Sequence, residues 1–217
     1  KMTLRNRVIA GLVLKAGRSF ERLIKDARDK RGECAHHLKT MVENCLYAYW
    51  VSDDQTETRA RLVCAESYRS RAAYHESCSA SPNDEDAQWG KEWRELLKKQ
   101  IEGLETEWEK FSKANLERMA GETKSKDFYN VYRLSCEAAH TGDLPQHMPP
   151  HPTKPGLTLE DLSLQQCYVS ISNALTLSFE LLMNISDQVG WNLESEVKGF
   201  WKRWDEIRRR GVQTDTP

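Results

Sequence analysis

The feature that most constrains the fold is the near absence of helix-breaking residues from most of the chain. Five of the seven prolines lie between Pro145 and Pro155, and only 11 of the 217 residues are glycine. Proline removes a backbone donor and glycine costs conformational entropy in a helix, so long stretches without either favour continuous helices. The sequence has no alternating strand pattern of useful length and no internal repeat. It therefore predicts an all-α fold, a bundle of six to seven helices.

Apolar residues at helical spacing predict where the helices lie. The seven predicted ranges are 3–30, 33–51, the stretch from possible caps at 52–54 to about 78, about 85–120, 126–140, 158–189 and about 191–209. An Asn or Asp cap in the turn at 79–84 precedes the fourth helix, and Gly121 ends it. We expect one helical domain over residues 1–217, with a proline-rich loop at about 141–157 between the helix at 126–140 and the C-terminal pair of helices.

The charge balance gives no global field that would recruit nucleic acid. The chain has 32 basic and 33 acidic residues, a net charge of −1. A local basic patch is the alternative, and the C-terminal segment is the best candidate for it. An ordinary solvated helix end whose cations complement the helix dipole explains the same pattern. The segment's basic residues are Lys202, Arg203, Arg208, Arg209 and Arg210.

Cysteine spacing and hydropathy indicate a cytoplasmic protein. The six cysteines show no C-x-x-C spacing, and a chain of this length does not need disulfides, so we expect reduced thiols. The N-terminal stretch resembles a weak signal peptide, but its apolar run is short and Lys15 and Arg18 interrupt the continuation. No segment approaches the ~20 apolar residues that span a bilayer, so we expect no membrane association.

The helix predicted at 126–140 carries a pair of residues suited to phosphate chemistry. Arg133 and His140 are seven residues apart, close to two helical turns, so they share a face about 10 Å apart along the axis. Glu137 lies between them, with Tyr132 and Cys136 beside the same face. A guanidinium can hold a phosphate and an imidazole can move a proton near neutral pH. The alternative is a surface Arg–Glu pair and a histidine that caps the helix.

A second pattern occurs in the helix predicted at 33–51. Lys39 and Glu43 stand at i and i+4 on a stripe that is otherwise apolar. About ninety residues later, the helix predicted at 126–140 contains the pattern Tyr-Arg-x-x-Cys-x-x-x-His, from Tyr132 to His140. Together the two patterns combine a cation and a carboxylate with a tyrosine, an arginine and a histidine.

This pair of motifs resembles a bacterial family of helical proteins that belongs to, or lies near, the HEPN superfamily (higher eukaryotes and prokaryotes nucleotide-binding). Such proteins show Arg/Lys-x-x-x-Glu in an early helix and Tyr-Arg-x-x-Ser-x-x-x-His in a late one. Here Lys39 stands where arginine is more usual, and Cys136 stands where serine is expected. Leu134 follows Arg133, at a position where active members often carry a polar residue. The resemblance covers roughly residues 33–145.

The resemblance implies an HEPN-like bundle that forms a homodimer and brings two Arg–His pairs into one cleft. It implies a metal-independent endoribonuclease of a toxin–antitoxin or phage-defence system, with RNA as substrate, an antitoxin or defence protein as partner and no cofactor. In that chemistry His140 transfers protons, Arg133 stabilises charge on the phosphate and Glu137 orients either one. Lys39, Glu43, Tyr132 and Cys136 support the site.

One alternative to this function remains from the sequence. The chain can instead be a non-catalytic interaction or dimerisation module, whose Trp-rich helices bind a partner or a second copy. A metal site at His147 and His151 has only Asp143 as a nearby carboxylate, so we expect no metal ligands there.

Overall fold

The structure, a computed structural model of the chain, describes residues 2–29, 34–114, 116–123, 125–139 and 159–213. Within these residues the chain is entirely helical, with nine α-helices and no strand, which confirms the all-α prediction. The helices are α1 (Leu4–Arg28), α2 (Cys34–Ser52), α3 (Thr58–Cys78), α4 (Glu85–Ile101), α5 (Glu105–Ser112), α6 (Leu116–Glu122), α7 (Lys126–Ala139), α8 (Leu159–Val189) and α9 (Glu194–Gln213).

The predicted count of six to seven helices is wrong, because the predicted helix at 85–120 is three helices. The first break follows α4, where Gly103 adopts a φ of 73°, a left-handed conformation that glycine takes without strain. The Arg61 guanidinium caps this break by donating to the carbonyls of Gln100 and Glu102. The second break separates α5 from α6. The other six predicted helices are confirmed to within a few residues, over the part of the chain that the structure describes.

The chain divides into two compact units. Unit 1 comprises Lys1–Leu14 and Leu46–Lys126, and unit 2 comprises Lys15–Cys45 and Asp127–Pro217. The divisions fall within α1 and α2 and at the start of α7. The single domain over 1–217 stays a prediction, and the proline-rich loop predicted at about 141–157 lies outside the described residues. In the described parts of the chain, every helix is too short or too polar to cross a membrane.

In unit 1, α3 and α4 form an antiparallel pair with a close approach near the turn that joins them. Gly90 of α4 is buried, and a Cβ there would meet the Glu76 side chain at 3.0 Å and the Ala72 carbonyl at 3.7 Å. The small residue therefore lets the two helices pack closely. A salt bridge between Arg94 and Glu76 flanks this contact.

The turn before α4 is held by the carboxylate of Asp84, which confirms the predicted cap. Its oxygens accept from the backbone amides of Ala87 (2.8 Å), Ala80 (2.6 Å) and Ser81 (3.1 Å), and from the Ser79 hydroxyl (3.0 Å). Hydrogen bonds to a carboxylate favour its charged form. The bond from Ala87, followed by those from the other donors, lowers the pKa of Asp84 to about 2.

We expect Asp84→Asn to destabilise the protein at neutral pH, by an amount that shrinks in acid. Because the pKa of Asp84 is lower in the folded state, its charge stabilises the fold fully above the unfolded-state pKa of about 3.9. That stabilisation is lost as the pH falls toward 2. Urea unfolding of wild type and variant at pH 6, 5, 4 and 3 measures the difference in unfolding free energy. Asp53→Asn, at an exposed carboxylate, is the control, and a pH-independent deficit for Asp84→Asn would contradict the prediction.

In unit 2, α8 and α9 pack against each other around an aromatic contact. The rings of Phe179 and Trp201 meet edge to face at 5.2 Å. The turn between the helices is fixed by the Ser186 hydroxyl, which accepts from the Leu193 amide at 2.7 Å. Elsewhere in the unit, the His37 ring lies 2.8 Å from the carboxylate of Asp26. The unit's buried apolar residues include Leu23, Leu38, Met41, Val42, Cys45, Phe128, Leu177, Leu181 and Ile185.

Candidate functional site

The two sequence motifs lie on α2 and α7, and their described residues all belong to unit 2. Helix α2 is buried over most of its surface, and Lys39 and Glu43 are half-buried among its apolar side chains. A charged pair in such a position is costly unless it is compensated. The buried residues of this part of α2 are Leu38, Met41, Val42 and Cys45.

The surroundings of Glu43 shift the pKa of its carboxyl group. Burial raises its pKa, and the positive charge of Lys39, one turn earlier on the same helix, offsets part of that rise. A carboxyl group with a raised pKa holds its proton closer to neutral pH than an exposed glutamate does. It is therefore suited to exchanging a proton with a neighbour or a ligand.

Tyr132 connects the two motifs. Burial raises the pKa of its hydroxyl, as do a hydrogen bond to the Cys136 thiol and the charges of Cys136, Glu43 and Tyr129. The ring of Tyr132 also stacks on that of Tyr129, with centroids 6.1 Å apart. Glu43 of the α2 motif is therefore close enough to Tyr132 of the α7 motif for its charge to act on the tyrosine hydroxyl. The structure thus brings together Lys39, Glu43, Tyr132 and Cys136.

Cys136, rather than its neighbour Ser135, faces the tyrosine. Ser135 is buried, and its hydroxyl donates to the backbone carbonyl of Tyr132 at 2.8 Å, within α7. Cys136 is half-buried and hydrogen-bonds the Tyr132 hydroxyl. The thiol therefore occupies the place that the family motif gives to a serine hydroxyl.

The predicted catalytic pair is described only in part. The Arg133 side chain is exposed on α7, beside Leu134, which is 61% exposed. Glu137 belongs to α7, but its side chain lies outside the described set, and so does all of His140. The Arg133–His140 geometry and the orienting role of Glu137 stay predictions. His147 and His151 also lie outside the described residues.

Residues 6–148 match the sequence model of a family of unknown function, DUF5677, over more than half of the 217-residue chain. The chain belongs to DUF5677. The DUF5677 match includes both motifs, from Lys39 to His140, and ends before α8 and α9. No curated protein and no solved structure matches the chain significantly. The resemblance to the HEPN superfamily stays a prediction beside this membership.

Two carboxylates on α7 and α8, Asp127 and Glu180, interact although no sequence motif contains them. Burial raises the pKa of Glu180, and the negative charge of Asp127 raises it further. The two residues are far apart along the chain, so no local spacing indicates that they approach each other. Among the residues that the structure describes, no three His, Cys, Asp or Glu side chains are arranged to hold a metal ion. In this DUF5677 chain the charge of Asp127 therefore acts on Glu180 across unit 2.

Proposed function

We propose that the chain is a metal-independent endoribonuclease of HEPN type that acts in a bacterial toxin–antitoxin or phage-defence system. The observation that carries the proposal is the approach of Glu43 to Tyr132, which supports a shared site for the two motifs of the resemblance. Arg133 projects from the same helix as Tyr132 and is exposed, so an RNA phosphate can reach it.

The proposed reaction uses the RNA's own 2′-hydroxyl as nucleophile. Its oxygen attacks the adjacent phosphorus while the bond to the 5′-oxygen of the next nucleotide breaks. His140 performs one of the two proton transfers, taking the proton from the 2′-hydroxyl or giving one to the leaving oxygen, and water performs the other. Arg133 stabilises the negative charge that develops on the phosphate. The products are a 2′,3′-cyclic phosphate and a 5′-hydroxyl. Glu43 and Lys39 tune the electrostatic potential around Tyr132, next to this site.

The proposal includes a cytoplasmic homodimer in which two Arg–His pairs share one cleft, and an antitoxin or defence protein as a partner. These features rest on the resemblance. The reaction has no step that requires a metal ion or a cofactor.

Incubation of the purified protein with total RNA in EDTA tests the proposal. We expect the wild-type protein to cut RNA and to leave 2′,3′-cyclic phosphate ends, and His140→Ala to leave the RNA intact. Circular dichroism checks that the variant is folded. Intact RNA with the wild-type protein, or equal cleavage by His140→Ala, would overturn the proposal.

Exposed apolar side chains favour a second candidate function, a non-catalytic interaction module. Leu134 is 61% exposed and Ile207 is also 61% exposed, and Phe200 and Trp201 are exposed on α9. Apolar side chains of this size on a surface are typical of protein contacts when they form a patch. The RNA assay separates the two functions, because a module leaves RNA intact in every variant.

A further inference from the structure

Unit 1 contains a pocket that neither motif explains. Its volume is about 180 Å³, and it lies among the end of α2, the start of α3, α5 and α6. The floor is apolar and consists of buried side chains, with the rings of Trp50 and Phe111 stacked at a centroid distance of 5.2 Å. Leu62 and Met119 complete the floor. An apolar floor with a few polar groups at the rim is typical of small-molecule sites.

The negative charge of a carboxylate on one wall of the pocket is already balanced by neighbouring donors and cations. Glu122 accepts a hydrogen bond from the Trp50 indole at 2.8 Å and one from the Arg118 guanidinium at 3.0 Å. The Arg59 guanidinium lies 3.8 Å from the same carboxylate. Burial opposes ionisation, but the hydrogen bonds from Trp50 and Arg118 and the charges of Arg118 and Arg59 outweigh it and lower the pKa of Glu122. Glu122 therefore stays charged and acts as an anchor for its neighbours.

The rim of the pocket carries excess positive charge. Three cations, Arg59, Lys110 and Arg118, line it together with two carboxylates, Glu107 and Glu122, so the lining has a net charge of +1. The Lys110 ammonium has no hydrogen bond and no ion pair with any residue that the structure describes. The Arg59 guanidinium stands over the Trp50 ring, 4.9 Å from its centroid. Positive charge thus lies directly above the aromatic floor.

We propose that this pocket binds a small organic anion, with a ring-sized apolar body on the Trp50–Phe111 floor and a carboxylate or phosphate group held by Lys110 and Arg59. The volume is below the ~300 Å³ at which sites for drug-sized ligands begin, so the pocket selects a small ligand. The net positive rim opposes a cation, and a neutral ring leaves Lys110 without a counter-charge. The proposal is independent of the RNase proposal.

Three probes of similar size test this site in the full-length chain: phenylacetate, phenyl phosphate and neutral 2-phenylethanol. Isothermal titration calorimetry measures their dissociation constants. We expect at least one of the two anions to bind, and we expect the alcohol to bind at least tenfold more weakly than that anion. Binding of phenylacetate alone, phenyl phosphate alone or both supports the site and identifies the acidic group that it takes.

The variant Lys110→Gln is expected to weaken binding of that anion by about tenfold, because it removes one charge-assisted contact. Lys110 is exposed, so the substitution leaves the fold intact. The matched control is Lys113→Gln, on the same stretch of chain but outside the pocket lining, which should bind like the wild type. The proposal is overturned if neither anion binds the wild type, if the alcohol binds equally well, or if Lys110→Gln binds as the wild type does.

Discussion

Arg133→Ala is expected to slow RNA cleavage by about 10²- to 10³-fold, the usual loss when one group that stabilises transition-state charge is removed. The guanidinium is exposed on α7, so its removal leaves the packing of the helix unchanged. A guanidinium can donate two parallel hydrogen bonds to a phosphate, whereas a methyl group donates none. Single-turnover cleavage of a labelled RNA in EDTA measures the rate directly.

Two further variants make this result specific to the site. Arg133→Lys keeps the charge but not the paired donors, so we expect an intermediate rate. Arg22→Ala removes an exposed arginine from α1, also within unit 2, and should cleave like the wild type. An equal loss of cleavage rate in Arg133→Ala and Arg22→Ala would show only that cleavage depends on positive charge in general. Full activity of Arg133→Ala would remove Arg133 from the mechanism.

Local patterns were sufficient to predict most of the helices. The predicted C-terminal ends of α3 and α7 are correct to within a residue, and the cap at Asp84 follows from its place after a Pro-Asn turn. The predicted caps of α3 at 52–54 are wrong, because the helix begins at Thr58 after Glu57. The break at Gly103 could not be predicted in this way, since the apolar stripe continues on both sides of it. What stabilises the break is Arg61, which reaches carbonyls about forty residues further along the chain. A contact of that kind has no local signature.

The candidate site shows the same division between local and tertiary information. The spacing of Lys39 and Glu43, and that of Tyr132 and Cys136, is visible in the sequence because each pair lies on one helix. The electrostatic effect of Glu43 on Tyr132 is not visible, because it depends on the tertiary arrangement of residues that are far apart along the chain. The pocket of unit 1 is even harder to predict from the sequence, because its lining comes from four helices between Trp50 and Glu122.

The second large effect is expected at Trp50, where substitution by alanine should lower the free energy of unfolding by about 3–5 kcal/mol. The side chain is 6% exposed, and it packs against the Phe111 ring. Its indole also donates to Glu122, which would be left partly buried with one hydrogen bond fewer. Urea unfolding followed by circular dichroism measures the loss. Trp89→Ala, at a tryptophan that is 41% exposed, is the matched control and should lower the free energy of unfolding much less.

A phenylalanine at position 50 separates the two contributions of Trp50. Trp50→Phe keeps most of the apolar contact with Phe111 but removes the indole donor, so we expect a loss of about 1–3 kcal/mol. If Trp50→Phe is as unstable as Trp50→Ala, the hydrogen bond to Glu122 dominates. If it is as stable as the wild type, packing alone explains the effect, and Glu122 is held by Arg118 and Arg59 without the indole. A loss below 1 kcal/mol for Trp50→Ala itself would contradict the central role of this side chain in unit 1.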